Sequence, residues 1–87
     1  MPYITPEQRK PLEPLIDQLS ALLPDKDFAG TLNYVISRLA GSVLAGKTNY
    51  ARLNEVIGAL ESAKLELYRR VAAPYEDTKA ATNGDVY

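Results

Sequence analysis

The sequence predicts an all-α fold: a small oligomeric helical bundle of three main helices with a short fourth at the C-terminal end. Three observations carry this expectation. Apolar residues recur at the spacing of one helix face along three segments, and strand-like alternation is absent. Proline, glycine and asparagine stand at the segment boundaries. The link Lys47-Thr48-Asn49 is so short that the helices it joins are expected to be antiparallel neighbours.

Thr5-Pro6-Glu7-Gln8 opens the first element. Thr5 is the cap, Pro6 suits the first helical position, and Gln8 completes a capping box. Pro11 and Pro14 lack an N–H and clash with the turn before them, so a short turn at 6–10 precedes the first main helix. That helix is expected over about 12–23, with Leu12, Leu15, Ile16, Leu19, Leu22 and Leu23 on one face. Pro24-Asp25-Lys26-Asp27 reads as a turn.

The second main helix is expected over about 28–45, its core stripe being Leu32, Val35, Ile36, Leu39 and Val43. Gly46 stands where a C-terminal cap belongs, and Asn49 is the next N-cap. The third helix is expected over about 50–72 with Leu53, Val56, Ile57, Leu60, Leu67 and Val71 as its stripe. Pro74 in a straight helix would clash with the Arg70 carbonyl. It is expected to end or kink the third helix and to start a fourth, about 74–82, stopped by Asn83-Gly84.

The chain has 87 residues and a net charge of −1, which fits one helical domain spanning 1–87. A domain this short buries roughly 60–65% of its unfolded surface, so its core is small. The sequence has no cysteine and no histidine, so neither disulfides nor an ordinary zinc site can reinforce it. Self-association is the natural source of further burial. Interspersed charges argue against a broad grip on duplex nucleic acid or on an anionic membrane. No apolar run reaches membrane-span length, and the segment MPYITPEQRK lacks the apolar core of a signal peptide, so a cytoplasmic protein is expected.

Gly41-Ser42-Val43-Leu44-Ala45-Gly46-Lys47-Thr48 matches the pattern of a phosphate-binding loop. Such a loop joins a buried strand to a helix so that successive N–H groups point at phosphate. Here Leu39 and Val43 continue the stripe begun at Leu32, and no strand precedes Gly41. A helix end followed by a polar link is the simpler reading. Lacking histidine and cysteine, the chain has no Ser-His or Cys-His nucleophile, and no metal or cofactor is expected. Glu55, Glu61 and Glu66 lack the one-turn pairing that places two carboxylates on one magnesium ion. Glu76 and Asp77 read as first-turn acids favouring a helix N-terminus.

The third helix carries the polar ridge Glu61, Lys64, Tyr68 and Tyr75, with Asn54 close by, if the helix direction persists past Pro74. Lys64 lies near the centre of the apolar stripe. It must therefore snorkel, pair with Glu61, or face an anion. Arg69 and Arg70 follow Tyr68, and Glu66 can pair with Arg70. A guanidinium can also stack on tyrosine and hold phosphate. The aromatic set is six tyrosines, one phenylalanine and no tryptophan, a choice suited to surfaces with one dry and one wet end. Tyr34, Arg38 and Gly41 on the rear of the second helix, with Gly58 and Ser62 on the far side of the third, are the expected oligomer interface.

The segments LNYVISRL, NEVIGALE, LYRRVAAPYED and NGDVY, in this order, resemble a family of small uncharacterised helical proteins of phages and prokaryotes. The resemblance covers most of the chain and is strongest from Asn54 to Tyr87. It brings no established activity and no catalytic residue. It implies a phage setting, in which small helical proteins without catalytic groups often act as inhibitors or ligand sponges against host defence.

The functional expectation is a non-enzymatic oligomer that binds an anionic nucleotide-type signal. Lys64, Arg69, Arg70 and Lys79 would meet phosphate. Tyr68 or Tyr75 would stack on a base, and Asn54 or Asn33 would read polar edges. Two alternatives stand beside it: a module that docks on a host or partner protein without a small ligand, and a nucleotide binder using Gly41–Thr48.

Overall fold

The computed structural model describes residues 4–87; the first three residues, part of the segment read above for a signal peptide, lie outside it. Every regular element among the described residues is helical, as the periodicity predicts. The chain divides into two units, Met1–Ala45 and Gly46–Tyr87.

In the first unit, α1 is the single turn Pro6–Arg9. Gln8 N–H donates to Thr5 Oγ1 at 3.2 Å and Thr5 N–H donates to Gln8 Oε1 at 2.8 Å, the reciprocal pair expected of a capping box. Helix α2 is Glu13–Ser20, shorter than the 12–23 expected. Pro14 falls in its first turn, where a missing N–H costs nothing. Beyond Ser20 the bonds shorten in register: Leu22 N–H donates to the Leu19 carbonyl and Leu23 N–H to that of Ser20, at 3.0 and 3.1 Å. The chain thus leaves the helix through tighter three-residue turns. Pro24, which has no N–H, cannot extend them.

Helix α3 is Phe28–Leu44. Asp27 precedes it in the left-handed region, φ 57°, and makes no side-chain cap. Ala45 leaves the helix in an extended conformation and Gly46 takes φ 70°, so the expected glycine stop is present. Gly41 to Leu44, the first half of the phosphate-loop pattern, form the last turn of α3, and no strand occurs among the described residues. The backbone there runs as helix rather than as a concave cradle of N–H groups.

In the second unit, Asn49 Oδ1 accepts from Arg52 N–H at 2.8 Å and caps α4, Tyr50–Leu67. The chain then continues without interruption through a π-helical turn, Tyr68–Ala72, into α5, Ala73–Asn83. Pro74 stands in the first turn of α5, so the expected fourth helix is present; the two helices are joined by the π-turn rather than by a break. In α register the Arg70 carbonyl would need the N–H that Pro74 lacks, and the ring would strike it. The π register carries bonds one residue further: Ala73 N–H donates to the Tyr68 carbonyl. The wider turn takes in the proline. Gly84, φ 87°, ends α5 where Asn83-Gly84 was expected to stop it.

None of the described residues is buried. The expected core stripes are in place by phase, but Leu32, Ile36, Leu39 and Val43 of α3 and Ile57, Leu60, Leu67 and Val71 of α4 are exposed. Val35, Leu53 and Val56 are half-buried. Within the second unit the reason is topological. Its helices follow one another without an intervening loop, so no element folds back to cover the stripe.

Candidate functional site

The π-turn is the structural centre of the region from Lys64 to Lys79. Seven residues make about two α-helical turns, so an unbroken helix would stack Tyr75 over Tyr68. The π-turn absorbs one extra residue, and the eighth residue, Glu76, takes that place. Tyr68 Oη donates to Glu76 Oε2 at 2.9 Å. The phenol is pushed above its ordinary pKa, first by this hydrogen bond, then by the Glu76 charge, and finally by desolvation.

Tyr75 leaves the ridge on which straight-helix geometry placed it. It meets Lys79 instead, whose ammonium lies 5.6 Å from the ring centroid, within cation–π range. Lys64 Nζ is 3.0 Å from Glu61 Oε1, the pairing expected of a lysine inside an apolar stripe.

Glu66 is the carboxylate that organises the two arginines. Arg69 Nη2 donates to both of its oxygens, at 3.1 and 3.2 Å, and Arg70 Nη1 lies 3.6 Å from Oε1. The Glu66–Arg70 pairing was legible in the sequence; the shared use of one carboxylate by both guanidiniums was not. The arginine side chains are 66% and 62% exposed. The two cations share Glu66, while the second carboxylate of this region, Glu76, lies on the Tyr68 hydroxyl.

The other expected ligand residues are spread out. Asn54 is an exposed position near the start of α4. Asn33 belongs to α3 in the first unit, where Ser37 Oγ donates to its Oδ1 at 3.4 Å. Of the expected interface residues, Tyr34 and Arg38 form a local pair. Arg38 Nη1 donates to Tyr34 Oη at 2.6 Å, and its guanidinium carbon is 5.6 Å from that ring centroid. Gly41 and Gly58 face open space: a Cβ built on either meets nothing within 4 Å. Ser62 is half-buried on α4.

Two features escaped the sequence reading: Glu76 as the partner of Tyr68, and a cleft between α5 and the tail. The signal for the first was present. Helical periodicity on both sides of a proline, without a turn residue between, is what a one-residue helical insertion looks like. The second is an open cleft of about 420 Å³ between α5 and the extended tail, lined in part by Glu76, Lys79, Asn83, Asp85 and Tyr87. Tyr87 N–H donates to Asp85 Oδ1 at 3.0 Å and shapes the tail locally.

No cluster of metal-ligating side chains occurs among the described residues. Nor is any helix among them long and apolar enough to cross a membrane.

The chain belongs to the family described as "Domain of unknown function (DUF6899)", whose model matches residues 1–86. No curated protein and no solved structure matches it.

Proposed function

We propose that this protein is a non-enzymatic, oligomeric binder of a small anionic ligand, a nucleotide-type signal, acting in the cytoplasm as a sponge or inhibitor of the kind phages direct at host defence. One observation carries the reading. Arg69 and Arg70, both exposed, converge on the carboxylate of Glu66. A planar guanidinium held in place this way is suited to exchange its carboxylate for phosphate, whose geometry it also matches. Tyr68 and Tyr75 offer ring faces to a base, and Lys64 and Lys79 supply further positive charge within the same helical run. Asn54 and Asn33 are the proposed readers of polar edges. Tyr34, Arg38, Gly41, Gly58 and Ser62 are proposed as a contact between copies. Sequestration needs tight binding and no chemistry, in keeping with a sequence that has neither cysteine nor histidine.

The test is calorimetric titration and thermal shift with a panel of linear and cyclic nucleotides. Binding to the folded state alone raises the melting temperature. Arg70→Ala is expected to weaken that binding by about 1.5–3 kcal/mol, the range of a hydrogen bond to a charged group. The helix should stay intact. If no nucleotide shifts the melting temperature and both Arg69→Ala and Arg70→Ala retain biological activity, the anionic site is wrong. The exposed surface is then that of a protein-docking module.

A further inference from the structure

Asn83-Gly84 ends α5, and the same two residues form the most labile dipeptide in the chain. Asparagine loses its amide when the backbone nitrogen of the next residue attacks the side-chain carbonyl carbon and closes a five-membered succinimide. A following glycine leaves that nitrogen unshielded, whereas a side chain at the same position screens it. The chain has four asparagines, and only Asn83 precedes a glycine. Asn33 is followed by Tyr34, Asn49 by Tyr50 and Asn54 by Glu55.

The structure separates them further. Asn33 and Asn54 lie inside α3 and α4, where the next N–H is held in the helix ladder. The Asn49 side chain is held by Arg52 N–H, 2.8 Å from its Oδ1. Asn83 is the last residue of α5, it is exposed, and its side chain makes no hydrogen bond among the described residues. Gly84 leaves the helix at φ 87°, and a Cβ built on it meets nothing within 4 Å. One interaction opposes the reaction. Gly84 N–H donates to the Ala80 carbonyl at 2.9 Å, which turns the attacking nitrogen toward the helix.

We propose that Asn83 is a site of spontaneous deamidation, gated by fraying of the last turn of α5, and that its conversion loosens the tail. Gly84 N gives its proton to hydroxide, and its electron pair forms the bond to Asn83 Cγ. The Cγ–Nδ2 bond breaks, and the side-chain nitrogen takes up a proton and leaves as ammonia. Water then opens the imide at one of its two carbonyls. Opening at Cγ gives aspartate; opening at the Asn83 backbone carbonyl gives isoaspartate, whose main chain runs through Cβ and Cγ. The net change consumes one water and releases one ammonia, and it needs no enzyme. Either product sets a negative charge at the C-terminal end of α5, where the helix dipole disfavours it. Isoaspartate also adds an atom to the main chain ahead of Gly84, which moves its N–H out of register with Ala80. Asn83 and Gly84 both line the cleft between α5 and the tail, so the change falls on a wall of that cleft. The inference is independent of the ligand proposed above.

The experiment incubates the full chain in mildly alkaline water enriched in heavy oxygen, with and without guanidinium chloride, and maps its peptides by mass spectrometry with fragmentation that distinguishes isoaspartate. Asn83 is expected to convert ahead of the other three asparagines, to a mixture of aspartate and isoaspartate carrying one heavy oxygen. The native chain is expected to react more slowly than the denatured one by roughly 2- to 13-fold, the protection that one net hydrogen bond confers. Opening of a helix end needs little free energy, so the native rate stays measurable. In the converted chain the Gly84 amide is expected to exchange with solvent faster than before. The inference is overturned if the native chain stays intact over an interval that converts the denatured one, or if aspartate forms without isoaspartate. Equal rates in the two conditions would overturn the gate, and unchanged exchange at Gly84 would overturn the loosening of the tail.

Discussion

Tyr68 and Glu76 are joined across eight residues by a 2.9 Å hydrogen bond, and the bond raises the phenol's pKa. The sign of its effect on stability follows from linkage. A group whose folded pKa lies above its unfolded value, about 10 for tyrosine, contributes stability fully below that value and loses it as pH rises through the folded pKa. The Tyr68 contribution is therefore expected to be constant through neutrality and to disappear above about pH 10. NMR titration of the Tyr68 ring carbon should show a higher midpoint in the wild type than in Glu76→Gln; equal midpoints would mean that the hydrogen bond does not persist in solution. Gly58 tests a different property. Its missing side chain opposes nothing in the chain. If the outward face of α4 is a close contact between copies, Gly58→Leu should lower the order of the assembly without loss of helicity. A shift toward smaller species in sedimentation is the expected outcome.

The π-turn is the element-scale feature with the largest consequence. Pro74 imposes it, and it rotates everything after Ala72 by about one residue relative to a plain α-helix. The carboxylate of Glu76 and the ring of Tyr75 thereby exchange places with respect to Tyr68. Pro74→Ala restores the missing N–H and removes the ring, so the run from Tyr50 to Asn83 is expected to revert to α register. The gain in stability should stay below about 3 kcal/mol, the penalty of proline in an ordinary helix interior, because the π-turn already relieves part of the clash. Loss of the Tyr68–Glu76 bond should accompany the gain. Scalar couplings across backbone hydrogen bonds would show it directly: Ala73 N–H should change its acceptor from the Tyr68 to the Arg69 carbonyl.

At the scale of the molecule, a chain that is 46% hydrophobic presents no buried residue of its own among those described. Leu32, Leu39, Ile57 and Leu67 are placed by helical phase where a core would be, and a contact beyond their own helices must supply the burial that makes such stripes stable. If that contact is made with another copy, assembly contributes directly to folding stability. The melting temperature is expected to rise with protein concentration, as mass action requires when only the associated state is fully folded. A melting temperature constant over a hundredfold range of concentration would contradict this.

The sequence by itself determined the helical class, the cap at Thr5 and Gln8, the cap at Asn49, and the glycine stops at Gly46 and Gly84. Each depends on residues within one turn of each other, where propensity and hydrogen bonding act locally. Ion pairs one turn apart, Glu61 with Lys64 and Glu66 with Arg70, were legible for the same reason. The sequence also marked Pro74 as a disturbance but left its outcome open. Ending the helix, kinking it and widening it into a π-turn all relieve the same clash, and the choice among them depends on the packing and hydrogen bonding of the turns on either side. Only the three-dimensional structure decided that the helix runs on. With that decision came the partner of Tyr68, the displacement of Tyr75 toward Lys79, and the exposure of a stripe that periodicity alone marks as core. Periodicity fixes which residues share a face; what the face meets depends on where the chain goes next.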